Sequence, residues 1–308
     1  MTNTKIKVVG VGGSGSNAIT RMKKCNIEGV ELIALNTDAQ DLQKTKADLK
    51  IRIGKEITKG LGAGMNPEIG EKAAEENRLE ITEALKDSDL IFITYGAGGG
   101  TGTGAGPVVA KIAKNLEALT IAIVTRPFSF EGSMRRKIAE AGLLKLKGNV
   151  DSLITISNDK LLSYLDSTIS PSKAFWICDD VLRQAVQGIS DLIMLPGIIN
   201  VDFADVKSII KGSGSALFGV GQASGEKRAE NAVKKAINAS FLDLSPKGAT
   251  GILFNVSGYP EITLSEIDEV AKIIGQQINS RAKIIFGAVR DEKLKKDELK
   301  VMLIAAGF

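Results

Sequence analysis

The sequence predicts an α/β chain: a doubly wound, parallel-sheet domain joined by one long helix to a smaller α/β domain. Three observations predict it. Short β-branched runs alternate with amphipathic stretches through residues 1–160, the pattern of βαβ units. Most of those runs are apolar without alternation, as strands are when both faces of their sheet are covered. Two of them end in glycine-rich segments that lead straight into helices, as at the carboxyl edge of such a sheet.

In order, strands are expected at residues 6–9, 31–35, 51–53, 90–94, 120–125 and 152–156. Helices fit between them at 16–25, at 68–86 with a break near Asn77, at 105–116 and at 130–146. Pro171 then opens a long helical reading to Met194, since a proline at the first helical position gives up no hydrogen bond there. Pro196 and Gly197 end it. A helix of about 20 residues is roughly 30 Å long, enough to cross a domain. A loop at 196–201, a short helix at 203–210 and a glycine-spaced stretch at 212–221 come next. A second α/β module follows, with helix 227–239, strand 251–256, helix 264–278 and strands 282–286 and 300–306. The domain boundary is expected inside or just after the long helix.

The chain has 308 residues, a prior of about two domains at roughly 150 residues each. It contains no histidine, which excludes Ser-His-Asp and Cys-His catalysis, histidine proton shuttles and the common zinc geometries. Its two cysteines, Cys25 and Cys178, stand far apart with no CxxC spacing and read as small buried hydrophobes in a reducing compartment. The first ten residues show no signal-peptide core, and no apolar run approaches about 18 residues. A net charge of +4, evenly spread, gives no footprint for nucleic acid. These observations predict a cytoplasmic protein without membrane insertion or a nucleic-acid partner.

The first strand runs into Gly10-Val11-Gly12-Gly13-Ser14-Gly15, a GxGxxG opening a helix, with Asp38 after the second strand. Alone, this is the dinucleotide fingerprint of a Rossmann-like fold, or simply a tight turn. The fourth strand runs into residues 96–106, seven glycines in eleven positions, closed by Pro107 at the expected helix start. Each glycine costs about 0.5–1 kcal/mol relative to alanine in regular structure. No packing return is expected, so a ligand should touch that backbone. Its N–H groups, the Thr101 and Thr103 hydroxyls and the helix N-terminus would form an anion nest. Two such loops beside one crevice suit a chain of phosphates better than the single turn a nicotinamide cofactor needs. Neither contains GK[ST], so neutralisation would fall to backbone dipoles and a bound cation. A third glycine loop, 60–67, is placed to close over the terminal phosphate.

The stretch GAGGGTGTG (96–104) resembles the signature loop of the tubulin/FtsZ family in its FtsZ form. NTDAQDL (36–42), ITKGLGAGMNPEIG (57–70), RPFSFEG (126–132), DSLITISNDKLL (151–162) and NVDFADVK (200–207) extend the resemblance in order, from residue 5 to 308. It implies a Rossmann-like parallel-sheet GTPase domain (1–170), a central helix (171–195) and a smaller α/β C-terminal domain (196–308), the tubulin/FtsZ fold. It also implies GTP/GDP as ligand with Mg²⁺, and self-assembly head to tail into filaments of the bacterial division ring, with other cell-division proteins as further partners.

Carried over by position, the resemblance places Gly12, Gly13, Ser14, Gly15, Ser16 and Asn17 around the phosphates and toward the base. Gly100, Thr101 and Gly102 would hold the β and γ phosphates, with Ala63 and Gly64 closing over them. Glu131 and Arg135 would meet ribose and phosphate, and Gly96, Gly99, Thr125 and Asn158 would complete the nucleotide site. Asp179 would accept from N1–H and the 2-amino group of guanine, a pair adenine does not offer, with Phe175 one turn earlier stacking on the base. Asp202 and Asp205, three apart at the start of a helix, also suit simple capping. The resemblance gives them the attacking water of the next subunit's nucleotide, with Asn200 supporting their loop. No residues are assigned as metal ligands.

Departures from the family pattern are Ser14 and Ser16 within the first loop, Gly106 where alanine is usual, and Tyr95 and Ala97 where small residues or methionine are common. The resemblance stops at Phe308, before the linker and partner-binding peptide of full-length FtsZ, so membrane attachment through that peptide is not expected of these residues. Related readings are a filament of plasmid partition or cell shape, a filament with vestigial hydrolysis and, from another class, an NAD-dependent oxidoreductase.

Overall fold

Six strands of the first half, largely buried along their length, form one sheet: β1 (Ile6–Val11), β2 (Val30–Asn36), β3 (Leu49–Arg52), β4 (Leu90–Gly96), β5 (Leu119–Arg126) and β6 (Ser152–Ser157). All pair in parallel, in the order β3-β2-β1-β4-β5-β6. The computed structural model describes residues 4–27, 29–163, 169–195, 197–238, 246–279 and 281–308. Pro196 and Ala239, expected at helix ends, lie outside the described residues. The chain divides into two compact units, Met1–Gln187 and Gly188–Phe308.

Around the first sheet lie α1 (Gly12–Lys24), α2 (Ala39–Lys44), α3 (Lys55–Thr58), α4 (Pro67–Glu76), α5 (Arg78–Leu85), α6 (Thr101–Asn115), α7 (Ser133–Lys147), α8 (Asn158–Ser163) and α9 (Pro171–Met194). The expected break at Asn77 is present. Its side chain accepts from Gly54 N (2.9 Å) and donates to Glu80 in the first turn of α5 (2.8 Å). The short helices α2, α3 and α8 were not expected. The mark of α2 is Asp38, whose Oδ1 accepts from Gln40 N and Asp41 N at 2.9 and 3.0 Å. Asp38 is a helix cap, which accounts for an acidic residue at this position without a dinucleotide.

The glycine-rich segment differs from expectation in two ways. Helix α6 begins at Thr101, and Pro107 lies inside it, so the last glycines are helical. Pro107 removes only the hydrogen bond to the Thr103 carbonyl. The glycines also have a packing role. A Cβ on Gly104 would overlap the Pro67 carbonyl oxygen, and one on Gly70 the Gly100 carbonyl oxygen, so α4 and α6 cross backbone against backbone.

A Cβ on Gly106 would overlap the ring of Tyr95, and one on Gly102 would stand 3.1 Å from that side chain. Tyr95 is fully buried. Its ring occupies the volume that a side chain at 106 would take, so two departures from the family pattern form one compensating pair. Gly106→Ala should cost about 1–3 kcal/mol by overpacking, and much of that loss should disappear when Tyr95→Leu is added. Urea melts of the two single variants and the double variant check this; additive losses would mean that the two sites do not share the volume.

In the second unit α10 (Phe203–Ile210), β7 (Gly214–Ser224), α11 (Arg228–Asn238), β8 (Gly251–Tyr259), α12 (Leu264–Gln277), β9 (Lys283–Arg290) and β10 (Glu298–Ala306) follow one another. The strand order is β7-β10-β8-β9, with β10 antiparallel to β7 and β8, and β8 parallel to β9. The stretch 212–221, expected only as glycine-spaced, lies largely in strand β7. Cβ atoms on Gly219 and Gly221 would overlap the Ala236 and Ala232 carbonyl oxygens, so these glycines let α11 lie directly on the strand. Among the described residues no helix is long and apolar enough to cross a membrane.

Candidate nucleotide site

Strands β1 and β4 are neighbours, and the strand order reverses between them, which opens a crevice at their carboxyl ends. The two glycine turns meet across it. Gly12 takes a left-handed φ of 71°, and a Cβ on it would stand 3.0 Å from Gly102 N. Ser14 Oγ then lies 2.9 Å from where Gly96 lacks a side chain. Gly15 instead seats α1 on the sheet, its missing Cβ 2.6 Å from the Gly10 carbonyl carbon. Ser16 is buried, and its Oγ accepts from Asn36 Nδ2 at 3.4 Å. Neither Gly15 nor Ser16 lines the cavity.

That cavity encloses about 230 Å³ within the first unit. Nine expected contacts line it: Ser14, Asn17, Gly96, Thr125, Glu131, Arg135, Asn158, Phe175 and Asp179. Ala97, Pro127 and Cys178 join them. Ala97 and Cys178 are chain neighbours of the expected contacts Gly96 and Asp179, and Pro127 belongs to a quoted motif; that adjacency was the available signal. Gly12, Gly13, Gly99, Gly100, Thr101, Gly102, Ala63 and Gly64 are not part of its wall.

The remaining expected contacts gather at the start of α6. Gly99 and Gly64 have nothing within 4 Å of a would-be Cβ, whereas Gly100 is pressed against Ala63 and Asn66. The threonine hydroxyls are engaged inside the protein. Thr101 Oγ1 pairs with Thr37 Oγ1 at 2.7 Å, and Thr103 Oγ1 accepts from Gly98 N at 2.9 Å. Thr103 keeps its hydroxyl proton, and backbone N–H groups at the α6 N-terminus stand beside it as further donors for an anion.

The opposite wall is aromatic and acidic. Phe128 stacks on Phe130 at 4.9 Å and meets Phe175 edge-on at 5.2 Å. Glu131 accepts from Phe128 N (2.8 Å) and pairs with Arg135 Nη1 (3.0 Å). Asn158 Oδ1 and Arg135 Nε are buried without hydrogen-bond partners beside this cavity, a costly arrangement that a polar ligand relieves. Asp179 is 7% exposed. Burial pushes its carboxyl up to about 6, against the lowering effect of Arg21 and with a further push from Asp180. Burial likewise pushes the Cys178 thiol up to about 12, leaving it unreactive, whereas Cys25, also expected to be buried, is exposed after the end of α1.

A carboxyl raised from 3.8 to about 6 on folding costs stability above its folded pKa. Asp179 alone should therefore withdraw about 3 kcal/mol from the ligand-free protein as pH rises between those two values, so the unaltered chain should lose ground relative to Asp179→Asn over that range. Melting temperature against pH for both chains checks this; parallel profiles would contradict it.

In the second unit the loop before α10 is pinned by its own residues. Asn200 Oδ1 accepts from Gly197 N at 2.7 Å, and Ile199 bridges to Ala288. Asp202 caps α10, its Oδ1 accepting from Asp205 N at 2.7 Å. Neither Asp202 nor Asp205 forms an ion pair among the described residues. No group of three His, Cys, Asp or Glu placed to hold a metal occurs among them either.

Residues 5–166 match the family model of the Tubulin/FtsZ family GTPase domain, and residues 214–308 that of the FtsZ family C-terminal domain. Among solved structures, an empty FtsZ dimer from M. jannaschii is 49% identical with a TM-score of 0.94, covering 99% of this chain and 88% of that one. A point mutant of FtsZ from the same organism gives the same identity and TM-score, with 99% and 91% coverage. The GTPγS-bound protofilament of CetZ2 from Haloferax volcanii shares the fold, at 20% identity and a TM-score of 0.83, covering 98% of this chain and 92% of that one. The chain belongs to the tubulin/FtsZ family and carries both its GTPase domain and the C-terminal domain of its FtsZ branch.

Proposed function

We propose that this chain binds GTP in the cavity of its first unit, hydrolyses it, and assembles head to tail into filaments of a cell-division ring. The observation that carries the reading is one cavity with the buried Asp179 carboxylate and the Phe175 ring on one wall and the turns at Ser14 and Gly96 on the other. A carboxylate accepts from both N1–H and the 2-amino group of guanine. Phe175 covers the base, Glu131 and Asn158 face the ribose, and the N–H groups of both glycine turns take the phosphates. Mg²⁺ held by the phosphate oxygens would neutralise their charge.

In this reading hydrolysis is completed by a second copy, in whose neighbour's site Asp202 and Asp205 orient the attacking water while Asn200 braces the loop. A head-to-tail contact that does not close makes an open filament. The 49% identity to an FtsZ favours division over plasmid partition or cell shape. The protein would work in the cytoplasm at the division site, with itself as main partner, other division proteins beside it, and no nucleic acid or membrane insertion.

The test is phosphate release from GTP and from ATP with Mg²⁺. Turnover of GTP with little of ATP is expected. Equal use of both, or binding of NADH in place of GTP, would overturn the reading.

A further inference from the structure

The Asp179 carboxylate is held from outside the cavity. Arg21, one helical turn after Asn17 on α1, reaches across to α9, and both its Nε and Nη2 lie 3.2 Å from Asp179 Oδ2. Its guanidinium lies 5.1 Å from the ring centre of Trp176, whose ring Lys173 also approaches at 4.4 Å. Arg21 is thus fixed between an indole and a carboxylate. Arg21 Nε donates one hydrogen bond to Oδ2 while Nη2 makes an ion-pair contact, so Oδ1 keeps both its lone pairs and Oδ2 one for a purine.

The other charges near Asp179 are committed elsewhere. Asp180 on α9 is held by Arg183 and Gln184 at 2.7 Å each, remains ionised and repels Asp179. Glu131 and Arg135 pair with each other, and Cys178 stays a neutral thiol. Among the described residues Arg21 is the cation bonded to Asp179. We propose that Arg21 is a positioning residue for purine specificity: by holding Asp179 Oδ2 it keeps that carboxylate ionised and fixed in the cavity wall, so that the site takes guanine and rejects adenine. This rests on the guanine reading given above.

Protonation would invert the readout. A neutral carboxyl offers one donor and one acceptor, the complement of N1 and the 6-amino group of adenine. Burial already pushes Asp179 up to about 6 with Arg21 in place, and removing the cation pushes it further.

The experiment measures the ratio of GDP to ADP affinity from about pH 5.5 to 8.5, a ratio that cancels the titration of phosphates common to both ligands. In the unaltered chain the ratio should fall as pH drops through about 6. In Arg21→Met the midpoint should move up by about one unit, so that the ratio near pH 7 drops up to tenfold and recovers at the alkaline end. Arg21→Lys, which keeps the charge, should retain the original midpoint. A ratio unchanged in Arg21→Met, or reduced equally at every pH, would overturn the proposal. Should Arg21→Met fail to fold, the unaltered chain decides, since a ratio flat across the whole range also overturns it. Asp179→Asn separates the two readings. Loss of the GDP preference there, with no midpoint shift in Arg21→Met, removes only the role of Arg21; retention of the preference in Asp179→Asn removes the guanine reading itself.

Discussion

Gly104→Ala is expected to lose about 3 kcal/mol of stability, the upper end of the range for an added methyl group. The added Cβ would overlap the Pro67 carbonyl oxygen and stand 2.7 Å from Glu71 N, both backbone atoms of α4. No rotamer relieves such a contact, and α4 can retreat only by carrying Gly70 away from Gly100. Loosening would therefore reach the segment proposed to hold phosphate. Gly99→Ala is the opposite case, with nothing within 4 Å of the new methyl group. It should melt like the unaltered chain yet bind GDP more weakly, because the methyl group stands where phosphate would approach. Urea melts and GDP titrations of both variants check the pair. A stable Gly104→Ala, or a Gly99→Ala that loses stability and keeps its affinity, would contradict this sorting of the glycines.

Asp202→Asn and Asp205→Ala are expected to cut GTP turnover by about 10²- to 10⁴-fold, the range for loss of a group that acts on the attacking water. Asparagine caps a helix about as well as aspartate, so Asp202→Asn keeps the bond to Asp205 N and removes only the charge. Its melting temperature and GDP affinity should stay near those of the unaltered chain. Asp202→Ala would add about 1 kcal/mol of lost capping, which would blur the result. Filaments of Asp202→Asn should also outlast those of the parent after GTP addition, followed by light scattering. Unchanged turnover in Asp202→Asn would leave the residue as a helix cap and nothing more.

Much of this was legible in the residues. The largely apolar, non-alternating runs of β1 and β4 marked a parallel sheet, and the glycine turns after them marked its crevice. The individual role of a glycine was not legible, because sequence shows a missing Cβ and not the atom that occupies its place. Gly104 and Gly106 serve packing, Gly99 faces open space, and the three look alike in the chain. Strand β7 was hidden for the same reason, its glycines lowering strand propensity where α11 needs them. Asp38 was a cap read as a ribose ligand, since one residue type serves both ends. Arg21 escaped notice because its partner lies 158 positions away, a distance only folding closes.

The central claim is that hydrolysis is completed between two copies of the chain. The most direct test follows phosphate release per subunit from GTP with Mg²⁺ as protein concentration is raised, with sedimentation to detect polymer. The account predicts a threshold below which turnover is negligible and above which turnover and sedimenting polymer appear together. Turnover per subunit that is constant from the lowest concentration, without polymer, would contradict it and return Asp202 and Asp205 to a structural role.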